Sequence, residues 1–456
     1  MRPSPLLDIE YQRVMNSVKL KITNATCLAL LTDGWTNVTG GGIISFVITT
    51  PEPVFYKSVV PGTNRETTEY IKDQIASVLK EIGPEKLLRI CTNNDSAIKG
   101  AWVKIKEENE FKHIFAVGCL AHGLNLLLKN LCALPSFDNI ISKVRCIVKH
   151  VKNTYVVFST FKDNQFKLYG QSATTLKLPS NTRWAGSVIM MQSLLKNKQS
   201  LKETDIAPKL VKVFDKVAQK NLLDEDVFWV NVKRLLSILS PISIGITKSE
   251  SDKARLSEGH AILSKIVKDI KEGMVTYPLT TTKEEKVNSI IVKRKTFCLY
   301  PVHSAANLLD PKYKGIDLNS TEIFDAINTI LSINSWLNLD QRPILANLAE
   351  YRTCTGLFGL SYIIESAEYC SPDVWWKGLA TNEPENYLVC PAHRHLVKEI
   401  GRLLVKRTKE VDSESINIDD QIISISSRSE TTESDRSDPD ANISDDETFS
   451  SLINKK

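Results

Sequence analysis

The 456-residue sequence predicts an α/β protein: a mixed sheet near the N-terminus, then a large all-α region, then a disordered acidic tail. Three observations carry this. β-type runs and helical periodicity alternate over the first hundred and thirty residues; strand signals largely disappear from about Ser142 to Leu345; and composition changes abruptly at Val411.

Leu6 to Ile22 has helical apolar spacing. CLALLTD (Cys27 to Asp33), GIISFVITT (Gly42 to Thr50) and VFYKSVV (Val54 to Val60) follow, separated by Gly, Asn and Pro. They read as three strands, and their short connections make them antiparallel neighbours. After the turn PGTNRE, Tyr70, Ile71, Ile75, Val78, Leu79 and Ile82 form one helical face, stopped by Gly83 and Pro84. KLLRICT is a fourth strand, Ser96 to about Glu108 a helix, HIFAVGC a fifth strand and AHGLNLLLKNL a strongly apolar helix. The order is βββαβαβα. Beyond it, FWVNVKRLLSILSPISIGI and LSEGHAILSKIVKDIKEGM read as helices, and an amphipathic stretch resumes at Ser320 to Leu337. RTCTGLFGLSYIIESAEYCSPDVWWKGLA then leads into the last ordered part. No internal repeat of useful period is present.

The charge is unevenly placed. From Val411 onward the tail carries 12 acidic and 4 basic residues, a net of −8 in a chain at +5, so the body stands at +13. Such a tail buries too little apolar surface to offset chain entropy. The basic body suits a polyanion partner, although a soluble surface also commonly carries such an excess. Nine cysteines stand singly, an odd number without a close pair, as expected of reduced thiols. No apolar run approaches the roughly 20 residues a membrane helix requires, and MRPSPLLDIEYQ has no apolar signal core. These features lead to an expectation of a soluble intracellular protein without a membrane partner.

Chemistry would centre on strand ends. Carboxylates on two neighbouring strands and a crossing helix can hold two divalent metals for phosphoryl transfer. Asp33 ends the first strand, and the strand order places the end of KLLRICTNN beside it.

LLTDGWTNVTGGGIISFVITTPEPVFYKSV, CTNNDSAIKGAW, GCLAHGLNLLLKN, SNTRWAGS, FWVNVKRLLSILSPI and PVHSAANLLDPKYKG occur in order between Arg2 and Cys390, with SPDVWWKGLA after them. The series resembles the hAT superfamily of DNA transposases, in the branch whose catalytic region carries only the label domain of unknown function. The resemblance implies an RNase H-like mixed sheet interrupted by a helical insertion, with a DDE site using Mg²⁺ or Mn²⁺. It also implies these boundaries: 1–140, first part of the catalytic-type core; 141–345, helical insertion; 346–410, remnant of a dimerisation segment; 411–456, disordered acidic tail.

Residue by residue, Asp33 in T-D-G-W-T matches the first catalytic Asp. Aligning Thr92, Asn94, Ser96, Lys99 and Trp102 with the second motif puts Asn93 at the second acidic position, where it lacks the charge a dication needs. Asp95 replaces it if the loop slips by two residues, and otherwise caps the following helix. The third carboxylate belongs to a motif like S-S-x-x-x-E-R-N-W-S, missing after Trp375 and Trp376. Reverse-translating Ala392 to Val405 from the third base of each codon permits S-S-A-S-S-E-R-N-W-S-T-F-G, which implies a frameshift near Cys390 and makes Glu399 non-native. A local helix near Leu396 to Lys409 remains compatible with this.

Cys119 and His122 match a Cys-x-x-H motif of the family; they read either as two of four zinc ligands or as a helix start buried against the sheet. Arg183 is the candidate phosphate contact. Trp35 and Trp184 are expected to pack, and His303 and Asp310 to fix a loop between helices. The resemblance carries the further expectation that the family's BED-type finger is missing ahead of Met1. The resulting expectation is a catalytically inactive, transposase-derived nuclear protein that binds DNA nonspecifically or forms a homodimer. The alternatives are an active metal-dependent transposase that cleaves and joins DNA ends, and a cytoplasmic location.

Overall fold

The computed structural model describes Pro5 to Leu379 except residues 26–27, 38–39, 50–52, 63–66, 180–184, 211, 252–253 and 337–339. Arg183, Trp184, the frameshift segment, the 396–409 helix and the acidic tail therefore lie outside the described residues.

The first part comprises α1 (Pro5–Asn24), β1 (Leu28–Thr36), β2 (Gly42–Thr49), β3 (Pro53–Val59), α2 (Thr68–Ile82), β4 (Leu87–Thr92), α3 (Ser96–Glu107) and β5 (Phe115–Gly118). One five-stranded mixed sheet results, in the order β3-β2-β1-β4-β5. β1, β2 and β3 pair antiparallel, as their short links require, while β1–β4 and β4–β5 are parallel because a helix crosses over between each. Thr67 caps α2 by accepting from the Tyr70 amide at 3.3 Å, and Gly83 stops it at φ +89°.

On one face of the sheet, Leu30, Phe46, Ile48 and Ile90 pack with Val18 and Ile22 of α1 and with the apolar sides of α2 and α3. All six residues of β4 are buried, so its second face needs a cover as well. That cover comes from far along the chain: Cys91 and Val117 lie in one cluster with residues from Val302 to Trp376.

The intervening chain is helical. It runs through α4 (Leu120–Cys132), α5 (Pro135–Asn153), α6 (Tyr155–Tyr169), α7 (Gly186–Lys196), α8 (Lys198–Asp205), α9 (Lys216–Leu223), α10 (Val230–Ser249), α11 (Glu258–Thr276) and α12 (Thr281–Cys298). These share a core of their own that begins with Leu120 and Leu124 and includes Trp229, Leu239 and Ile270. Gly273 sits where an added Cβ would come within 2.8 Å of the Ser237 carbonyl oxygen, so α10 and α11 approach closely there. One stretch among the described residues, Glu225–Ser249, is long and apolar enough to cross a membrane, where the sequence had suggested none. Its Trp229, Val232, Leu239 and Ile242 are buried in the helical core, and Pro241 interrupts its ladder.

The return to the sheet uses α13 (Pro301–Leu309), α14 (Ser320–Trp336), α15 (Gln341–Thr353), α16 (Ser361–Glu365) and α17 (Pro372–Gly378). The paired tryptophans fasten it. The Trp376 indole donates to the Leu309 carbonyl at 2.9 Å, the Trp375 indole donates to Ile363 at 2.9 Å, and both rings cluster with Tyr351 and Phe358.

Candidate functional site

The register pairs Thr32 of β1 with Thr92, the last residue of parallel β4, so Asn93 leaves β4 beside Asp33. Asp33 does not end the first strand as expected, because β1 continues to Thr36 by pairing with β2, Asp33 opposite Ser45. Asp33 is also two residues beyond Leu31, which packs on the face covered by α13, and two-residue periodicity keeps it on that face. The Asn93 amide Nδ2 donates to Asp33 Oδ1 at 2.5 Å, and both side chains are half-buried. The reverse orientation would bring two oxygens together, so electrostatics sets which end of the amide faces the carboxylate.

This geometry bears directly on metal fit. An oxygen-ligand dication site needs acceptors converging from several anionic groups, whereas the second position here turns an N–H donor toward the single carboxylate. Among the described residues no group of three or more His, Cys, Asp and Glu side chains converges to hold a metal ion. Asp33 and Asn93 as they stand do not fit a two-metal cluster.

Asp95 is occupied locally. It is exposed and caps α3, its carboxylate accepting from the Ala97 amide at 2.8 Å. Asn94 lies deeper, 8% exposed, and connects three parts of the chain. Its Nδ2 donates to the Cys119 carbonyl at 3.4 Å, while its Oδ1 accepts from the Tyr300 hydroxyl at 3.2 Å. It also fills the space over Gly118, where a Cβ would fall 1.7 Å from Asn94 Oδ1. The sequence reading assigned Asn94 no role. Its only signal there was an amide at a strand end followed, a strand later, by a glycine.

Cys119 starts α4, its amide donating to the Thr92 carbonyl at 2.7 Å. Burial, with Cys91 beside it, pushes the thiol up to about 12. Structural zinc takes four ligands, and among the described residues no group of three or more His, Cys, Asp and Glu side chains converges to hold it. His122 is half-buried one turn further along α4.

Trp35 corrects an expectation of packing: it is 47% exposed, with its indole donating to Ser45 Oγ at 3.3 Å. β1 outruns its pairing with β4 after Thr32, so β4 gives the ring no neighbouring strand. His303 and Asp310 sit at opposite ends of α13. His303 Nδ1 accepts from the Tyr300 amide at 3.1 Å, and Asp310 accepts from the Ser257 hydroxyl at 2.7 Å and the Lys312 amide at 3.1 Å. Both are buried connectors of α13 to its surroundings.

The site is thus a carboxylate within β1 and an amide just beyond the end of the parallel neighbour β4, in an α/β protein whose sheet is covered partly by helices that follow a helical layer. Residues 3–147, which hold all five strands, match the family described as Domain of unknown function (DUF659). Residues 117–225 match the family described as ZBED1 RNase-like helical domain. Together the two matches support a hAT-related, transposase-like protein. A comparison with curated proteins finds no match.

Proposed function

We propose that this chain is an RNase H-like relative of the hAT transposases that retains the fold, lacks metal-dependent strand cleavage, and works by binding DNA or a second copy of itself. The observation that carries the loss of chemistry is the hydrogen bond from Asn93 to Asp33. Metal affinity in an oxygen-ligand site grows with its anionic ligands, and a neutral donor at the second position removes one of them. The strand order, with three antiparallel strands followed by two parallel ones, supports the RNase H-like reading. A body at +13 supports a polyanion partner, held through phosphates and without base readout, in the nucleus.

The test uses the full chain on a terminal-inverted-repeat duplex with Mg²⁺ or Mn²⁺. No nicking or strand transfer above that of Asp33→Ala is expected, and DNA affinity should be nonspecific and fall steeply with salt. Metal-dependent cleavage that vanishes in Asp33→Ala would return the chain to the active transposases and overturn the reading.

A further inference from the structure

We propose that the groove between α11 and α12 is a docking site for an acidic amphipathic helix of another protein. The two helices are joined by the short link 277–280 but rest on different supports, α11 on α10 and α12 on α4. A groove of about 680 Å³ opens between them. Its apolar lining comes from Leu263 and Val267 on α11 and from Ile291 and Val292 on α12. Leu263 and Val267 lie four residues apart on α11, whereas Ile291 and Val292 are adjacent on α12; Leu263 and Ile291 are buried as the floor, and Val267 and Val292 are the apolar side chains left accessible. Val292 is 66% exposed, an aliphatic side chain left without cover.

The polar lining is mostly of one sign. Lys268, Lys271 and Lys295 stand against Glu272 alone. Lys295 bonds Glu322 at 3.3 Å, while Lys268 and Lys271 make no ion pair among the described residues. A groove with an aliphatic floor, a valine on each side and lysines around it is complementary to a helix with leucines at i, i+4 and i+7 flanked by glutamates, the helix-in-groove mode of recognition. A nucleic acid would satisfy the lysines but not the aliphatic lining, which has no aromatic ring for base stacking. A lipid surface calls for a protruding apolar face rather than a groove. This inference is independent of the metal chemistry at Asp33.

The experiment measures fluorescence anisotropy with the full chain and a synthetic helical peptide carrying that leucine spacing and flanking glutamates. The probe should bind about tenfold more tightly than its lysine-flanked counterpart, and Lys268→Glu with Lys271→Glu should reverse the preference. Val292→Asp, at an exposed position that leaves the circular dichroism spectrum unchanged, should remove binding. Three results would overturn the proposal: no preference between the peptides, a Val292→Asp variant that binds normally, or displacement of the peptide by duplex DNA.

Discussion

At the scale of single residues, the contact between Asn93 and Asp33 sets both chemistry and stability. Asn93→Asp would replace an N–H donor with a second carboxylate at hydrogen-bonding distance from the first. The variant should lose about 1–3 kcal/mol at pH 7. Because the added charge also creates a cation preference, Mn²⁺ should raise the melting temperature of the variant more than that of the parent chain. Equal Mn²⁺ shifts in thermal denaturation would count against this account. His303 offers a separate test. Burial, then Arg89, then His260 hold it down from 6.5 to about 3. The unfolded imidazole titrates near 6.5, so unfolding takes up a proton below that pH. The stability from neutral His303 is therefore complete above about pH 6.5 and is lost as pH falls toward 3. His260, held down to about 4 chiefly by burial, has the same sign; Asp310 and Glu258, raised by burial, have the opposite sign. A difference measurement isolates His303. Between pH 7 and 5 the parent should lose stability relative to His303→Gln at about 1 kcal/mol per pH unit, and parallel urea midpoints would contradict it.

At the scale of an element, α3 depends on its cap. Asp95 satisfies an amide at the helix start and opposes the helix dipole. Asp95→Ala should cost about 1 kcal/mol in denaturant unfolding, whereas Asp95→Asn should change little because both side chains cap well. A larger loss in the Asn variant would mean that the carboxylate charge itself matters at the strand ends. The close approach of α10 to α11 shows another element-level constraint. Gly273 admits the Ser237 carbonyl, four residues before Pro241, whose missing N–H cannot bond it.

At the scale of the whole molecule, one face of the sheet is completed by helices from the far side of the helical layer. Residues 1–140 alone would leave Leu31, Cys91 and Val117 without α13 and the aromatic cluster around Trp376. Exposure of that face is comparable in cost with the roughly 5–15 kcal/mol by which a domain is stable. The isolated fragment should lack a cooperative thermal transition and bind a hydrophobic dye, while residues 1–379 should melt cooperatively. A sharp transition for the short fragment would mean that α1, α2 and α3 alone suffice to hold the sheet.

The sequence by itself determined the local elements and the meeting of Asp33 with Asn93. Alternation marked the strands, three-to-four spacing marked the helices, and the order βββαβαβ put the end of the fourth strand beside Asp33 of the first, which the sequence reading had ended three residues too early. Asp95 was legible as a cap because its partner amide is only two residues away. Only the tertiary structure decided what crosses long separations. Tyr300 reaches Asn94 from 206 residues away, Trp376 fastens Leu309, and Trp35 stays exposed because β1 outruns its neighbour. Side-chain spacing reports which face of an element is apolar. Which other face covers it depends on how distant elements pack, and that is settled only when the chain has folded.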